Sequence, residues 1–150
     1  MAPDPVARPP APTAAALART GRCYGGRLPY PPGPADYRSG LLDVRKAADG
    51  AGRDPEAITP ALFVPVRVDE DVAAGRLAPD AYARADHGLP LEGSERIQAL
   101  VTGTPEDVVA GLARYRDAGA RHVVVRPGAR DLADQRDQLR RLAALLPELA

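Results

Sequence analysis

The sequence contains few aromatic and sulfur-containing residues: no tryptophan, one phenylalanine, one methionine and one cysteine in 150 residues. Because Cys23 is alone, an internal disulfide is excluded and the chain suits the reducing cytoplasm. No apolar run approaches the ~20 residues that a membrane-spanning helix requires. Residues 1–20 also lack the apolar core of a signal peptide. Their proline and alanine content predicts a flexible or weakly helical leader.

An excess of charge of either sign is also missing. Twenty lysines and arginines balance twenty acidic residues, so the formal net charge is 0. Such a chain creates no field that favours nucleic acid or an anionic membrane. Its length suffices for one domain that buries roughly 68–70% of its unfolded surface. We therefore expect a leader over residues 1–20 and a single domain over residues 21–150.

Residues 103–127, GTPEDVVAGLARYRDAGARHVVVRP, have the pattern of a complete helix followed by a strand. Thr104 is a good N-cap, and Asp107 stands at the reciprocal position of a capping box. Gly119 lies where a left-handed C-terminal cap is expected. The valine run 123–125 does not alternate with polar residues, which is typical of a strand covered on both faces of a parallel sheet. This stretch therefore predicts an αβ unit.

A second αβ unit lies upstream, in GPADYRSGLLDVRKAADGAGRDPEAITPALFVPVRV. Its helix begins at Pro34 and ends before Pro55, and the run from 58 to 68 predicts a strand. Because proline removes a ladder donor, Pro65 implies a bulge, a strand end or a strand shorter than the apolar run. The two units share proline, aspartate, glycine and leucine at one constant offset. A repeat of this kind favours an α/β barrel or a doubly wound sheet.

The remaining segments are less regular. We expect a helix beginning at the acidic residues 69–71, a short helix near 92–99 and a brief extended piece at 100–101. Residues 131–149 predict an amphipathic closing helix. Its inward leucines are predicted to be Leu132, Leu139, Leu142, Leu145 and Leu146.

Several phrases, taken in order, resemble one family, the luciferase-like monooxygenases. RTGRCYGGRLPYPPGPADYRSGLLDVRKAADGAGRDPEAITPALFVPVRVDED is similar to the later part of these proteins, in which a glycine-aromatic-proline stretch leads to a helix opening with Pro-x-x-Tyr. That pattern is present here as Pro34 to Tyr37, and the family's Ala-Gly-Arg-Asp-Pro phrase is present at 51–55. LVTGTPEDVVAGLARYRDAGARHVVVRP resembles the family's last helix and strand more closely. The likeness runs from about residue 19 to residue 150.

The resemblance implies a TIM barrel that binds FMN or the deazaflavin coenzyme F420 at its carboxyl-terminal mouth and performs hydride or monooxygenase chemistry. A whole barrel needs about 250 residues and eight strands. This sequence offers three strand candidates, near 27–30, 61–68 and 122–126. The predicted fold is therefore α/β, a partial TIM (β/α)8 barrel made of roughly its last three βα units. The family's first half, with most phosphate anchors and the usual catalytic positions, has no counterpart here.

The sequence also departs from the family's pattern. The strand near residue 25 usually reads Gly-Asp-Gly-Trp in the family, whereas this chain has Tyr-Gly-Gly-Arg at 24–27. The leader matches nothing in the family. Both departures suit a truncated or frame-disrupted gene product or a mis-assigned start codon. A short paralogue that works with a partner stays open.

Two residues are candidates for cofactor binding. Arg126 follows the valine run at the carboxyl-terminal end of its strand, where barrel enzymes place working residues, and its permanent charge could face a flavin ring or phosphate. An ion pair with Asp131 or Asp134 is the alternative. Tyr30 ends the first strand and could line the ring pocket or substrate mouth. Packing of the following proline turn is the alternative there.

Other polar features favour structural roles. His122 lies at the amino-terminal end of its strand, the stability face of a barrel, and His87 has no ligand partner at metal-binding spacing. Gly25-Gly26 lacks the spacing of a dinucleotide fingerprint. The helix starts at Thr104 and Pro34 carry acids in their first turns, which disfavours phosphate. The sequence thus predicts no metal site and assigns no catalytic residue.

Two hypotheses about function follow. In the first, the chain is the carboxyl-terminal part of a flavin- or deazaflavin-dependent oxidoreductase or monooxygenase and is not active alone. In the second, it is a non-catalytic relic or interaction module. Because an open parallel sheet leaves unpaired edges, such a module would form a homo-oligomer or pair with a complementary half-barrel.

Overall fold

The structure, a computed structural model, is an α/β fold built on a parallel sheet. It describes residues 13–31, 33–70, 80–81, 83–85, 88, 90, 92–93, 98–129 and 131–149. The elements in chain order are α1 (Ala14–Cys23), β1 (Gly26–Arg27), α2 (Pro34–Asp49), a 3-10 turn (Pro55–Ala57), β2 (Thr59–Val68), β3 (Val101–Gly103), α3 (Pro105–Asp117), β4 (His122–Pro127), α4 (Leu132–Ala144) and α5 (Leu146–Leu149).

Strand β2 is the centre of the described sheet, and all of its neighbours run parallel to it. Strand β4 pairs along one edge, while β1 and then β3 pair along the other. The first strand was predicted over 27–30, and the assigned strand β1 is shorter. The chain nevertheless continues beside β2, because Phe63 N–H donates to Pro29 O at 2.9 Å. Two strand-helix-strand connections, β1-α2-β2 and β3-α3-β4, are present among the described residues.

The predicted interruption of the central strand at Pro65 is wrong, because β2 is continuous through that residue. The N–H groups of odd-numbered β2 residues point to the edge shared by β1 and β3, as shown by the bonds from Phe63 to Pro29 O and from Asp69 to Gly103 O. In the β1 register, the missing Pro65 donor would reach Pro31 O. That carbonyl accepts from Ala99 N–H at 2.9 Å instead. Proline therefore stands where the sheet changes partners, and its missing donor costs no ladder bond.

The core lies between β2 and the crossover helices. From residue 62 onward, the even-numbered residues of β2 point into the core and are buried there with residues of α2 and α3. The cluster includes Leu62, Val64, Val66, Tyr37, Val44, Val108 and Leu112. The predicted capping box at α3 is confirmed: Thr104 and Asp107 bond each other's backbone N–H groups. Gly119 has the predicted left-handed backbone, with φ of 111°.

The prediction that the valine strand is covered on both faces is wrong. No valine of β4 is fully buried, and Val123 is 40% exposed. Val124 shares the sheet face of Phe63, which is turned away from the helices, and in the described part of the chain β4 has one strand neighbour, β2. The apolar pattern correctly indicates a strand but not the exposure of that strand at a sheet edge.

The flexible leader was predicted to extend to residue 20, but residues 14–20 belong to a helix that packs on the domain. Helix α1 begins at Ala14, capped by the Thr13 hydroxyl, and it packs against α2 with Leu17 buried. Gly21 allows the close approach of the two helices. Residues 1–12 lie outside the described residues, so the correction concerns the part of the leader from residue 14 onward.

The closing helix buries a different face from the one predicted. Leu145 is buried and Leu142 is half-buried, as expected. Leu132, Leu139 and Leu146 are 63%, 52% and 64% exposed, so their predicted inward position is wrong. The buried polar Gln138 occupies the sheet-facing position instead.

The helix expected to begin at 69–71 falls mainly outside the described residues, as do His87 and most of the short helix near 92–99. The extended piece expected at 100–101 is found as β3. Among the helices that the structure describes, none is long and apolar enough to span a lipid bilayer.

Candidate functional site

The structure brings Tyr30 and Arg126 to the same face of the sheet, the face turned away from the helices. The register aligns Tyr30 with Phe63, Phe63 with Val124, and Pro65 with Arg126. Register partners in a parallel sheet share a face, whose side chains recur at every second residue. The two predicted residues therefore flank β2 near the carboxyl-terminal ends of the strands, two strands apart, or roughly 10 Å.

The surface between them is apolar. Leu28 and Tyr30 are 52% and 60% exposed, while Phe63 and Val124 are partly buried. On β2, Ala61 and Pro65 lie on the same face on either side of Phe63, and both are buried. Two aromatic rings and two aliphatic side chains, with a guanidinium at one border, form a surface suited to a planar heteroaromatic ring.

A second cation at the carboxyl-terminal end of the sheet, Arg67, was missed by the sequence reasoning. Its Nε donates to Asp69 at 3.0 Å, and its Nη1 donates to Gly128 O at 2.8 Å and to both carboxylate oxygens of Asp134 at 3.0 and 3.1 Å. The Arg67 side chain is only 12% exposed. Charge-assisted bonds from three directions hold this guanidinium in one position.

Part of the Arg67 cluster could have been inferred from the sequence. Alternation along ALFVPVRV places Arg67 on the same face as Phe63, and Asp69 follows two residues later. The acidic run 69–71 was interpreted as a helix start. In the structure Asp69 binds Arg67, and Glu70 accepts from Arg141 at 3.2 Å.

The sheet is extended at this end by a side chain rather than by a strand. Gln138 of α4 accepts from Val68 N–H at 2.8 Å and donates to Val68 O at 2.9 Å. Its amide thus forms the two bonds that β4, already ended at Pro127, does not supply. Because Gln138 is 1% exposed, these bonds fix α4 against the end of β2.

Two of the described helix starts at this end of the sheet, those of α3 and α4, are capped by side chains, whereas α2 begins at Gly33 without a side-chain cap. In α3 the N–H of Asp107 is bound by Thr104, and the Asp107 carboxylate occupies the helix start. In α4 the N–H of Asp134 is bound by Asp131. Carboxylates at these positions already stabilise the helix dipoles and would repel a phosphate. The prediction of capping at Thr104 is confirmed.

Two further features lie away from this face. A cleft of about 680 Å³ lies beside α3 and β3, with Pro34, Thr102, Gly111 and Arg114 among its lining residues. Behind the sheet, Tyr37 and Tyr115 pack edge to face with ring centroids 6.3 Å apart. Burial raises the pKa of the Tyr115 phenol to about 12, and the negative charge of Asp36 adds to the rise.

One further candidate from the sequence, a histidine, lies at the opposite end of the sheet. His122 is exposed at the amino-terminal end of β4, the end of the strand opposite Arg126. Among the described residues, no group of three or more His, Cys, Asp or Glu side chains could hold a metal ion.

No protein-family model matches the chain. A curated protein of Mycobacterium tuberculosis, a phthiodiolone/phenolphthiodiolone dimycocerosates ketoreductase, is 29% identical over 137 aligned residues. That match covers 64% of this chain and 36% of the ketoreductase. The chain therefore spans little more than a third of this relative.

Solved structures with the same fold cover most of this chain. An F420-dependent secondary alcohol dehydrogenase matches 91% of the chain with a TM-score of 0.70 at 15% identity. A monooxygenase from Streptomyces bottropensis matches 93% with a TM-score of 0.65 at 21% identity. A long-chain alkane monooxygenase matches 91% with a TM-score of 0.64 at 12% identity.

This chain spans 46%, 46% and 39% of those three proteins, which is less than half of each. The resemblance to luciferase-like enzymes inferred from the sequence is confirmed at the level of the fold, which these structures share.

Proposed function

We propose that this chain is the carboxyl-terminal part of a luciferase-like oxidoreductase or monooxygenase that uses FMN or coenzyme F420. It would supply the last three βα units of a TIM-type barrel and would not turn over substrate alone. The observation that carries the proposal is the apolar sheet face on which Tyr30, Phe63 and Val124 lie in register on neighbouring strands, with Arg126 at its border. The lone, exposed Cys23 suits the cytoplasmic setting that we propose for it.

The residues present fit the ring of such a cofactor. A tricyclic ring is flat and largely apolar, and it carries polar atoms at its rim. Leu28, Tyr30 and Phe63 would contact its plane, while Arg126 would donate to a carbonyl or anionic position at the rim. When bound, the reduced ring would supply hydride transfer or oxygen activation, the chemistry that the cofactor brings.

The residues present do not fit the phosphate of such a cofactor. The starts of α3 and α4 carry their own capping side chains, and α2 has an acid, Asp36, in its first turn. Arg67 is already bound by Asp69 and Asp134. The phosphate anchors would therefore come from outside the described residues. This division of the pocket agrees with the short span of the chain relative to the proteins it matches.

Arg67 has a positioning role in this proposal. Its bonds to Asp69, Gly128 O and Asp134 join the end of β2 to the segment that leads into α4. The β4 segment that carries Arg126 therefore ends at a fixed place. A rigid mouth would hold the Arg126 guanidinium at the ring border without a reorganisation cost on binding.

The test is a titration of FMN and of coenzyme F420 with the purified chain, followed by fluorescence of the ring. We expect weak quenching by wild-type protein and about tenfold weaker binding by Tyr30→Ala, because one stacking surface is removed. Tyr24→Ala is the matched control, since Tyr24 is similarly exposed but lies before β1, far from the mouth. Unchanged fluorescence of both cofactors at high protein concentration would exclude cofactor binding by this chain.

A second candidate function, an interaction module, is favoured by a different surface. The exposed Leu132 and Leu139 on α4 and Leu146 at the start of α5 are spaced by seven residues, and the β4 edge with Val123 belongs to the same terminal unit. Arg136 and Arg140 are exposed beside the leucine row. A complementary half-barrel with an apolar helix flanked by acidic residues would cover this surface.

This candidate predicts association through the leucine row. We expect sedimentation to detect self-association or binding of a complementary half-barrel by wild-type protein and a loss of association in Leu139→Glu, because a charge is placed in the apolar contact. Leu42→Glu is the control, since Leu42 is 60% exposed on α2 and lies outside the row. Equal loss in both variants, or a monomer that binds no partner, would argue against the interaction surface.

A further inference from the structure

The apolar sheet face that carries Tyr30 is open to solvent on its β1 side. Leu28 and Tyr30 are 52% and 60% exposed, and Phe63 and Val124 beside them are partly buried. In the described part of the chain β1 has one strand neighbour, β2, so the outer edge of β1 is open as well. A contiguous apolar surface of this kind is typical of a docking site.

The segment that precedes α1 has the composition of a ligand for an aromatic surface. Residues 1–12, MAPDPVARPPAP, contain five prolines, and residues 9–12 have the spacing Pro-x-x-Pro. Such sequences favour the polyproline II conformation, in which they dock on grooves lined by aromatic side chains. Thr13, where the described chain begins, has φ of −60° and ψ of 147°, which are close to the angles of that conformation.

Helix α1 directs its own start toward the carboxyl-terminal ends of the strands. Near the end of α1, Gly21 packs on the backbone of Val44 and Ala48, in the last part of α2. Because α2 ends at Asp49, the rest of α1 packs on earlier turns of α2, which lie nearer those strand ends. Helix α1 also contacts β1. Residues 1–12 are therefore joined to the domain beside the open edge of the sheet.

The segment is long enough to reach the sheet face. Twelve residues in the polyproline II conformation span roughly 37 Å, at about 3.1 Å per residue. Passing the helix layer takes roughly 10–12 Å, which is the diameter of a helix with its side chains. The face from β1 to β4 is two strand spacings wide, or roughly 10 Å. A short tether also gives an effective concentration of the mM order, so a weak contact suffices within one chain.

We propose that residues 1–12 of this chain dock in the polyproline II conformation on the sheet face formed by Leu28, Tyr30, Phe63 and Val124. The prolines of the Pro-x-x-Pro segment pack on the rings of Tyr30 and Phe63. This contact removes apolar surface from water. The segment occupies the place proposed for the cofactor ring, so the two exclude each other. The docking itself needs no cofactor and does not rest on the proposed function.

The test is fluorine NMR of protein labelled with 4-fluorophenylalanine. Phe63 is the one phenylalanine of the chain, so the label gives a single resonance from this face. Pro9→Gly with Pro12→Gly keeps the length of the chain but weakens the polyproline II conformation. We expect this double variant to shift the resonance and to increase its relaxation by a soluble paramagnetic agent. Ala2→Gly with Ala7→Gly is the matched control, because it adds two glycines, keeps every proline and should leave the resonance unchanged.

A shortened chain that begins at Thr13 keeps the side-chain cap of α1 and provides a second measurement. Its resonance should match that of the double proline variant. A peptide of residues 1–12 added at mM concentration should restore the resonance of the full chain. If the shortened chain does not fold, the variants of the full chain decide the question.

An unchanged resonance in the double proline variant would overturn the proposal. A resonance that depends on protein concentration and not on residues 1–12 would also overturn it, because a second copy of the chain would then cover the face. These measurements contain neither FMN nor coenzyme F420, so they stand apart from the cofactor titration. If both proposals hold, the double proline variant binds the cofactor more tightly than the full chain does.

Discussion

At the scale of single residues, Gly21 decides how the amino-terminal helix joins the domain. A Cβ at this position would collide with Val44 O and would lie 2.8 Å from Ala48 N, both backbone atoms of α2. Arg53 strengthens the junction by donating to Gly21 O and, at 2.9 Å, to Tyr24 O. Helix α1 is therefore fixed to α2 by backbone proximity.

Gly21→Ala should destabilise the protein by about 1–3 kcal/mol, because the two helices must move apart. The direction of this change in stability is informative, because a glycine-to-alanine substitution inside a helix ordinarily stabilises a protein by up to about 1 kcal/mol. Urea unfolding followed by circular dichroism measures the change. Gly25→Ala is the control, because no atom lies within 4 Å of its added Cβ, and it should be near neutral. A stabilised Gly21→Ala would contradict the close packing.

The roles of single residues were predictable where their interaction partners lie close in the sequence. The N-cap at Thr104 and the left-handed Gly119 follow from neighbouring residues, and both were predicted. The Arg67 cluster was not, because Asp134 lies 67 positions along the chain. Gly21 was missed for the same reason, since its constraint comes from a helix that follows in sequence. Sequence reasoning cannot pair such residues before the packing of the elements is known.

At the scale of elements, Gln138 explains how α4 is held to the sheet. Its amide pairs with both backbone groups of Val68, beyond the point where β4 ends. The closing helix was predicted to pack through leucines, but a buried amide holds the sheet-facing position. Periodicity identifies an apolar stripe, yet it does not distinguish the side that meets the sheet from a side that stays exposed.

Gln138→Ala should lower the free energy of unfolding by about 2–4 kcal/mol, because Val68 N–H and Val68 O lose their partners in a buried site. Gln135→Ala on the exposed side of the same helix is the matched control and should change stability by less than about 0.5 kcal/mol. Chemical denaturation of both variants gives the comparison. Equal effects would show that the buried amide does not secure the helix.

At the scale of the whole molecule, the parallel α/β architecture and the two crossover units were predictable because each has a helix with caps followed by an apolar run. The resemblance to luciferase-like enzymes could also be recognised from several sequence segments that occur in the same order as in that family. The exposure of β4 was not, because a valine run is equally compatible with an inner strand and with an edge. Among the described residues, that edge is the observation that supports our proposal of a larger sheet.

The most direct test of this account is residue-resolved amide hydrogen exchange of β4 in protein shown to be monomeric by sedimentation. The bond from Gly128 N–H to Val66 O sets the alternation along the strand, so the amides of Val124 and Arg126 point to β2. The amides of Val123 and Val125 point to the outer edge. The account predicts slow exchange at 124 and 126 and fast exchange at 123 and 125. Equal protection of all four amides would show a closed sheet and would contradict an incomplete barrel.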